Sequence, residues 1–305
     1  MQRRLKLGTR GSPLALAQSR KVAAAIETAQ RWPEGYVEIV TITTTGDKVQ
    51  DRPLAEIGGK ALWTKELDQA LLNGDVDFCV HSMKDVESIR PREIHIASVR
   101  PRGDVRDRLI GAESIDILKQ GAVVGTSSAR RQAQMLAMRS DLHIVPLRGN
   151  VETRLRKVEE GEVDATLLAC AGLKRLGIDV GTSIPTEVIL PAPAQAVIGM
   201  ECRTDDTHTQ SILTTVNNQI TFWCVMAERA FTRALGATCS SPVAAFAVLE
   251  DGDLRMRAQI FSEDGKDVVE NRAVFDCGDE KTPHGLAHEM LEKAPESIRR
   301  LFSPT

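Results

Sequence analysis

The sequence lacks several features that would place it in a membrane or in an oxidising compartment. It has no apolar run long enough to span a bilayer, and its first residues lack the apolar core of a secretion signal. Six cysteines are scattered without a CxxC pair, so no disulfide framework is predicted. The net charge of −3 offers no field that attracts polyanions. We therefore expect a cytoplasmic protein with neither a membrane nor a nucleic-acid partner.

Common catalytic motifs are also missing. The sequence contains no GxGxxG, no GxxxxGK[ST] and no GxSxG, so dinucleotide and nucleotide chemistry lack support, although a Ser/His/Asp triad without the GxSxG motif stays open. His284 and His288 are four residues apart on a predicted helix, with Cys277 upstream. Without HExxH or CxxC spacing, they indicate a solvated helix face more than a metal site, and we predict no metal.

The order of the predicted elements indicates an α/β fold. Helical and β-like segments alternate in two successive halves, which predicts a mainly parallel sheet in each half. Ser12-Pro13 marks the start of the first helix. A strand over residues 197–201 is expected to return to the first sheet.

The last third of the chain has a different pattern. Asp251-Gly252 and Asp264-Gly265 predict two hairpins, and a final helix is expected over residues 284–302. This pattern indicates a small α/β domain with an antiparallel sheet. We predict three domains at these borders: residues 1–99 with 196–218, residues 100–195, and residues 219–305.

A charged pair directly after a predicted strand is the first candidate for a functional site. Lys84-Asp85 follows the strand over residues 76–80. Ligand crevices of open α/β sheets form at the carboxyl ends of strands. A surface ion pair is the alternative, since such pairs are common and contribute little stability.

Hydroxyl and cationic residues recur at other strand ends and helix starts. The segment 125–131 places Ser128, Arg130 and Arg131 at a helix start, where backbone N–H groups favour an anion, although a solvated helix start is the alternative. Five more such residues follow this pattern: Arg10, Ser12, Lys60, Arg148 and Arg154. Arginine binds carboxylates bidentately, so we expect a polycarboxylate or a phosphate ester as ligand.

One cysteine differs from the other five. Cys239 lies in the small, polar segment 236–242, which predicts a loop, whereas Cys79, Cys170 and Cys224 have apolar neighbours and are predicted core residues. A nucleophilic sulfur must be accessible, as a loop permits. An incidental loop thiol is the alternative.

Several segments, in this order, resemble the porphobilinogen deaminase family. The matching segments are residues 9–16 (TRGSPLAL), 58–60 (GGK), 81–86 (HSMKDV), 125–132 (GTSSARRQ), 147–155 (LRGNVETRL) and 171–177 (AGLKRLG). The resemblance covers about residues 5–245 and weakens in the last domain. It implies two periplasmic-binding-protein-like α/β domains around a cleft, followed by a third small domain.

The resemblance also implies an activity, a cofactor and roles for individual residues. Family members are hydroxymethylbilane synthases, transferases that join four porphobilinogen molecules head to tail with loss of ammonia. A dipyrromethane cofactor would be held by a thioether at Cys239, with Asp85 as the catalytic carboxylate. Carboxylates of cofactor and chain would be bound by Arg10, Ser12, Lys60, Lys84, Ser128, Arg130, Arg131, Arg148, Arg154 and Arg175, and Trp63 and Gln195 would contact substrate. Porphobilinogen would be the only partner of a monomeric protein.

The sequence departs from the family pattern at a few positions. Glu87 replaces a proline after Asp85, so we expect a looser turn there. Trp63 replaces a phenylalanine and would offer a larger stacking surface. Alanines flank Gln195 where glycines are usual, which puts the flexibility of that segment in doubt, and Ala237-Thr238 replaces glycine-rich residues before Cys239.

Two rival functions remain open from the sequence. A non-catalytic anion receptor of periplasmic architecture would use the same arginines, but neither an export signal nor Cys239 suits it. A phosphate-ester lyase or transferase would also use these arginines but has no need of Cys239.

Overall fold

The structure, a computed structural model, describes residues 3–44 and 64–304. The strands of these residues are β1 (Leu5–Arg10), β2 (Val37–Ile42), β3 (Phe78–Ser82), β4 (Ile94–Val99), β5 (Asp107–Ile110), β6 (Val123–Gly125), β7 (His143–Val145), β8 (Ala165–Ala169), β9 (Thr182–Ile184), β10 (Ile198–Arg203), β11 (Val243–Glu250), β12 (Asp253–Phe261) and β13 (Val268–Phe275). The helices are α1 (Pro13–Gln30), α2 (Lys65–Leu72), α3 (Ala129–Met138), α4 (Val151–Glu159), α5 (Cys170–Leu176), α6 (Thr207–Thr214), α7 (Gln219–Ala234), α8 (Lys281–Lys293) and α9 (Glu296–Arg299).

The chain forms two compact units. The first comprises Met1–Gly103 with Ala196–Phe222, and the second comprises Asp104–Gln195 with Trp223–Thr305. The boundary near residue 222 falls within α7. The three predicted domain borders stay a prediction.

The first unit is built on a five-stranded mixed sheet of order β2-β1-β3-β10-β4. β1 pairs parallel with β2 and β3, whereas β10 pairs antiparallel with β3 and β4. The predicted return of residues 197–201 to this sheet is confirmed by β10. The expectation of a mainly parallel sheet did not foresee that β10 and β4 join it through antiparallel pairs.

Helix α1 forms where the sequence predicts it. Ser12 caps the helix by accepting a hydrogen bond from the Ala15 N–H, and Pro13 takes the first helical position. Val22 and Ile26 are fully buried against the central strands. This packing fixes the start of α1 beside the carboxyl end of β1.

The second unit contains a five-stranded mixed sheet with an equivalent strand order. The order is β7-β6-β8-β5-β9, with β6 parallel to β7 and β8, and β5 antiparallel to β8 and β9. The first unit has the same arrangement, with β1, β3 and β10 in the places of β6, β8 and β5. The sheets of the two predicted halves therefore share one topology.

The second unit also contains the predicted antiparallel sheet, of order β11-β12-β13. The β11–β12 hairpin turns at Asp251 (φ 55°) and Gly252 (φ 95°), two left-handed residues that suit the twist of a hairpin. α7 and α8 pack on this sheet, where Phe231 and Met290 are fully buried. The α/β fold class with a small antiparallel sheet is thus confirmed.

The end of the chain corrects one prediction. The single helix expected over residues 284–302 is two helices, α8 and α9, separated at Ala294 and Pro295. A residue before proline is pushed out of the helical region, and Ala294 is extended accordingly.

Among the helices of residues 3–44 and 64–304, none combines the length and the apolarity that crossing a bilayer requires.

Candidate functional site

The carboxyl ends of β1 and β3 form one edge of a pocket in the first unit. These strands are parallel neighbours, so both end at the same edge of the sheet. Arg10 ends β1 and Ser12 begins the turn into α1. The pocket is lined by Arg10, Ser12, Leu14, Ala15, Gln18, Thr64, Val80, His81, Ser82 and Asp85. Three predicted site residues, Arg10, Ser12 and Asp85, therefore line one pocket.

A short 3-10 turn presents Asp85. The turn spans Met83–Asp85 directly after β3. Met83 is buried, Lys84 is exposed and Asp85 is half-buried at the pocket. The turn thus gives the Lys84 cation and the Asp85 carboxylate different environments, although they are adjacent in sequence.

Gln18 is a pocket residue that the sequence analysis missed. It is only 2% exposed, and its Nε2 donates a 2.9 Å hydrogen bond to Ser82 Oγ. This hydrogen bond connects α1 to the end of β3. A polar residue within the apolar face of a predicted helix was the signal that could have identified it.

Two predicted site residues, Lys60 and Trp63, lie outside the described residues.

The second unit places two predicted arginines in a buried cluster at the start of α3. Ser128 caps this helix by accepting from the Arg131 N–H. Arg131 Nε and Nη2 donate to the two carboxylate oxygens of Asp107, at 3.1 and 2.7 Å. Arg130 Nη2 donates to Asp107 at 2.8 Å, and its Nη1 donates to the Leu190 carbonyl at 2.6 Å. Asp107 is therefore an internal anion for both arginines.

Burial and charge compete in this cluster. Burial alone would raise the pKa of Asp107, but Arg131 and Arg130 outweigh it, and the pKa lies well below its ordinary value. Burial lowers the pKa of Arg130. One carboxylate facing two guanidinium groups leaves a formal charge of +1. The two cations at this helix start were expected to bind a ligand. Asp107 already pairs with both of them, but a positive charge remains.

Gln195 belongs to the same cluster. Its Nε2 donates to the Val105 carbonyl at 2.6 Å and to Asp107 at 3.0 Å. Its neighbours Ala194 (φ 58°) and Ala196 (φ 70°) both have left-handed backbone. This conformation favours glycine, so the two alanines are strained at the positions where the family pattern has glycine.

Three more predicted arginines follow strands β7 and β8 in the sequence. β6 and β7 are parallel, and Ser127 Oγ donates to the Leu147 carbonyl at 3.1 Å, which joins their two end segments. Arg148 follows in the second segment, and Arg154 Nε donates to the Gly149 carbonyl at 3.0 Å. Arg175 lies in the last turn of α5, where burial lowers its pKa to about 10.

Cys239 is the exposed cysteine of the six. It lies between α7 and β11, in a turn closed by the Ser241 N–H to the Thr238 carbonyl (3.0 Å) and the Thr238 N–H to Ser241 Oγ (3.0 Å). The predicted core thiols are confirmed as buried at Cys79, Cys170 and Cys224, while Cys277 is half-buried. The accessible sulfur therefore lies at the predicted position.

The structure brings the β11 end of this turn close to the arginine cluster. β11 begins four residues after Cys239, and the Ala245 N–H donates to the Pro191 carbonyl at 3.3 Å. Ala244 packs with Leu190, whose carbonyl accepts from Arg130.

The two histidines on α8 lie side by side. His284 and His288 rings are 4.7 Å apart, on a partly exposed helix face. Across residues 3–44 and 64–304, no group of three or more His, Cys, Asp or Glu side chains could hold a metal ion.

The chain is similar to known proteins along most of its length. Residues 5–211 match the family model of the porphobilinogen deaminase, dipyromethane cofactor binding domain, and residues 222–293 match that of the porphobilinogen deaminase C-terminal domain. A porphobilinogen deaminase of Sphingopyxis alaskensis is 50% identical, over 98% of this chain and 96% of the relative. That of Paracoccus denitrificans is 45% identical, over 96% of each chain.

Solved structures that are similar to the chain include substrate-binding domains of transport systems. The second substrate-binding domain of a putative amino acid ABC transporter from Streptococcus pneumoniae has a TM-score of 0.42 and 12% identity, covering 69% of this chain and 90% of that one. The L-cystine solute receptor of Neisseria gonorrhoeae has a TM-score of 0.38 and 14% identity, covering 74% and 90%. Both family models and the relatives agree in assignment, and the chain belongs to the porphobilinogen deaminase family.

Proposed function

We propose that the protein is a hydroxymethylbilane synthase, which joins four porphobilinogen molecules head to tail, with loss of ammonia, and releases 1-hydroxymethylbilane by hydrolysis. Family membership over nearly the full length specifies this reaction. The geometric observation that carries the proposal is the pocket in which the Asp85 carboxylate lies with Arg10 and Ser12.

Cationic and hydroxyl residues are proposed to bind the acids of the substrate. Porphobilinogen has two carboxylates, and every condensation adds two more to the growing chain. Arginine forks bind carboxylates with two parallel hydrogen bonds, so several arginines suit a chain that gains acids. The proposed binding residues are Arg10, Ser12, Lys60, Trp63, Lys84, Ser128, Arg130, Arg131, Arg148, Arg154, Arg175 and Gln195.

Asp85 is proposed to be the catalytic carboxylate. Breaking the bond between the aminomethyl carbon and the protonated nitrogen of porphobilinogen releases ammonia and leaves a methylene-pyrrole cation. The Asp85 carboxylate stabilises this cation electrostatically beside the pyrrole N–H. After the new carbon–carbon bond forms, the acceptor pyrrole carbon loses a proton, and Asp85 assists its departure. Positioned acid–base groups contribute about 10²–10⁴-fold to rate.

The residues of the second unit fit a covalently attached dipyrromethane. The fit rests on the exposed Cys239 sulfur and on the +1 charge that remains in the Arg130, Arg131 and Asp107 cluster. Cys239 would hold the group through a thioether, and the arginines and Ser128 would bind its acidic side chains. When bound, dipyrromethane supplies the pyrrole carbon to which the first substrate is joined.

The expected location is the cytoplasm and the expected state a monomer. We also propose the division into residues 1–99 with 196–218, residues 100–195 and residues 219–305. Pairing of β10 with β3 and β4 supports the first of these groupings.

Incubation of the purified protein with porphobilinogen tests the proposed function. We expect porphobilinogen to disappear while ammonia and a linear tetrapyrrole are released. A receptor for small anions would bind porphobilinogen without consuming it, and that result would refute the proposed activity.

A further inference from the structure

Arg90 lies at the centre of a buried ion-pair cluster five residues after Asp85. Its guanidinium is 8% exposed, while the Glu201 side chain on β10 is fully buried. Arg90 Nε and Nη2 donate to the two oxygens of Glu201, each at 2.9 Å. Nη2 also donates to Asp68 on α2 at 2.5 Å. Arg90 thus joins the segment that follows Asp85 to both β10 and α2.

The same guanidinium holds Glu87, two residues beyond Asp85. Arg90 Nη1 donates to Glu87 Oε2 at 3.1 Å and to Thr64 Oγ1 at 3.3 Å. Thr64 Oγ1 in turn donates to Glu87 Oε2 at 3.0 Å. Glu87 is therefore fixed where a loose turn was expected from the loss of the usual proline.

The positive charge of Arg90 stabilises the buried carboxylates around it. Burial alone would lower the pKa of Arg90, but Glu201 and Asp68 outweigh it and raise the pKa above its ordinary value. Arg90 therefore stays charged. Without it, the fully buried Glu201 would lose both of its short hydrogen bonds to a cation.

The turn that presents Asp85 is fixed to β10 from its other end as well. The Met83 N–H donates to the Val197 carbonyl at 3.0 Å, and the Val86 N–H donates to the Met83 carbonyl at 3.2 Å. The Met83 side chain fills the space beside Gly199, where an added Cβ would be 2.0 Å from its sulfur. The contacts of Met83 and of Glu87 therefore fix the chain on both sides of Asp85.

The cluster also reaches the pocket directly. His81 Nε2 lies 3.2 Å from Glu201 Oε2, without the angle of a hydrogen bond. His81 and Thr64 both line the pocket with Asp85. Arg90 therefore contacts one pocket residue, Thr64, and reaches another through Glu201.

We propose that Arg90 is a positioning residue for the condensation reaction, holding Asp85 in place through its contacts with Glu87, Glu201 and Asp68. This inference rests on the proposed function, because it assigns Arg90 a task in that reaction. The Glu87–Arg90 pair restrains the turn in this chain by electrostatics, where a proline would restrain it through its fixed φ. A misplacement of about 1 Å in a catalytic group can cost about 100-fold in rate.

Arg203 is a matched control in the same unit. It forms an ion pair with Asp206 at 2.7 Å, and its Nη1 donates to the Leu71 and Val76 carbonyls at 2.9 and 3.0 Å. It is partly buried and ties α2 to β10 without lining the pocket. Arg90→Lys and Arg203→Lys both remove a guanidinium group that donates several hydrogen bonds. Of these two arginines, Arg90 is the one that contacts the segment after Asp85.

The experiment measures kcat and KM for porphobilinogen, together with thermal unfolding, for both variants and the unsubstituted protein. We expect Arg90→Lys to lower kcat about 10- to 100-fold, with KM changed less than about threefold because uniform binding is retained. Arg203→Lys should keep kcat within about twofold, since it removes no transition-state contact. An unchanged kcat in Arg90→Lys, with an active unsubstituted protein, would overturn the inference alone.

Measuring the effect of Arg90→Lys on kcat in the Asp85→Glu variant distinguishes a positioning role of Arg90 from a general structural role. If Arg90 acts through Asp85, Arg90→Lys should lower kcat much less in that background than in the unsubstituted protein. Equal fold losses in both backgrounds would mean a structural role and would overturn the inference.

Glu87→Gln keeps the test decisive if Arg90→Lys does not fold. It retains the side-chain shape and removes one charge, and we expect a several-fold lower kcat at an unchanged KM. A kcat equal to that of the unsubstituted protein would overturn the inference. Absence of turnover in the unsubstituted protein would overturn the proposed function, and the inference with it.

Discussion

Replacement of Asp85 by asparagine should remove most of the activity while retaining binding. The substitution preserves the size of a half-buried side chain that lines the pocket with Arg10 and Ser12, and it removes one negative charge. Two unit charges about 4 Å apart interact by about 4 kcal/mol at an effective dielectric constant of about 20. Because about 1.4 kcal/mol corresponds to a tenfold change in rate, Asp85→Asn should lower kcat about 1,000-fold.

The assay is the initial rate of porphobilinogen consumption at saturating substrate, with porphobilinogen affinity measured separately. Asp75→Asn is the matched control, because Asp75 is an exposed carboxylate of the same unit outside the pocket. We expect the control to retain kcat, and Asp85→Asn to bind porphobilinogen within about tenfold of the unsubstituted protein, since charge stabilisation in the transition state is lost selectively. A kcat for Asp85→Asn within tenfold of normal would refute the role of the carboxylate.

Two further predictions concern stability. Asp107→Asn leaves Arg130 and Arg131 without their shared anion and should lower the free energy of unfolding by about 3–5 kcal/mol. A loss below about 1 kcal/mol would contradict the stabilising role of these buried ion pairs. The pKa of Asp107 in the folded protein lies below its unfolded value of about 3.9, so the stabilisation from its carboxylate is fully present above that pH and is lost as the pH falls further. The free energy of unfolding should therefore fall less steeply with decreasing pH in Asp107→Asn than in the unsubstituted protein. Ala196→Gly relieves a left-handed φ of 70° and should change stability by less than about 0.5 kcal/mol, whereas Ala24→Gly, in the exposed face of α1, should cost about 1 kcal/mol. Equal losses in denaturant unfolding for these two glycine variants would argue against strain at Ala196.

Local signals in the sequence predicted much of the fold. Ser12-Pro13 marked α1, the expected strand over residues 197–201 matches β10, and Asp251-Gly252 marked the β11–β12 turn. In each case the signal and the structure that it specifies lie within a few residues. Such features depend on propensity and turn chemistry alone.

The missed features depend on contacts that are distant in sequence. β5 and β9 are short strands that complete a sheet through antiparallel pairs, and strand direction leaves no local signal. Glu201 lies in a buried strand because Arg90, 111 residues away, pairs with it. Asp107 was likewise not identified as the partner of Arg130, which lies 23 residues further along.

For the candidate site, the exposure of some residues was predictable, but their partners distant in sequence were not. Cys239 is exposed and Asp85 lines a pocket, as the patterns indicated. Gln18 was overlooked, because its hydrogen bond to Ser82 joins positions that are 64 residues apart in the sequence. The sequence could not show that Glu87, in place of proline, is held by Arg90.

The intact mass of the purified protein, measured before and after incubation with porphobilinogen, tests the proposed thioether at Cys239 directly. We expect a covalent excess equal to two porphobilinogen molecules less two ammonia molecules, present from the start or gained on incubation. Cys239→Ala should lack it, whereas Cys277→Ala, which alters a half-buried thiol, should retain it. A protein that never gains this mass, or that retains it in Cys239→Ala, would contradict the proposed cofactor attachment.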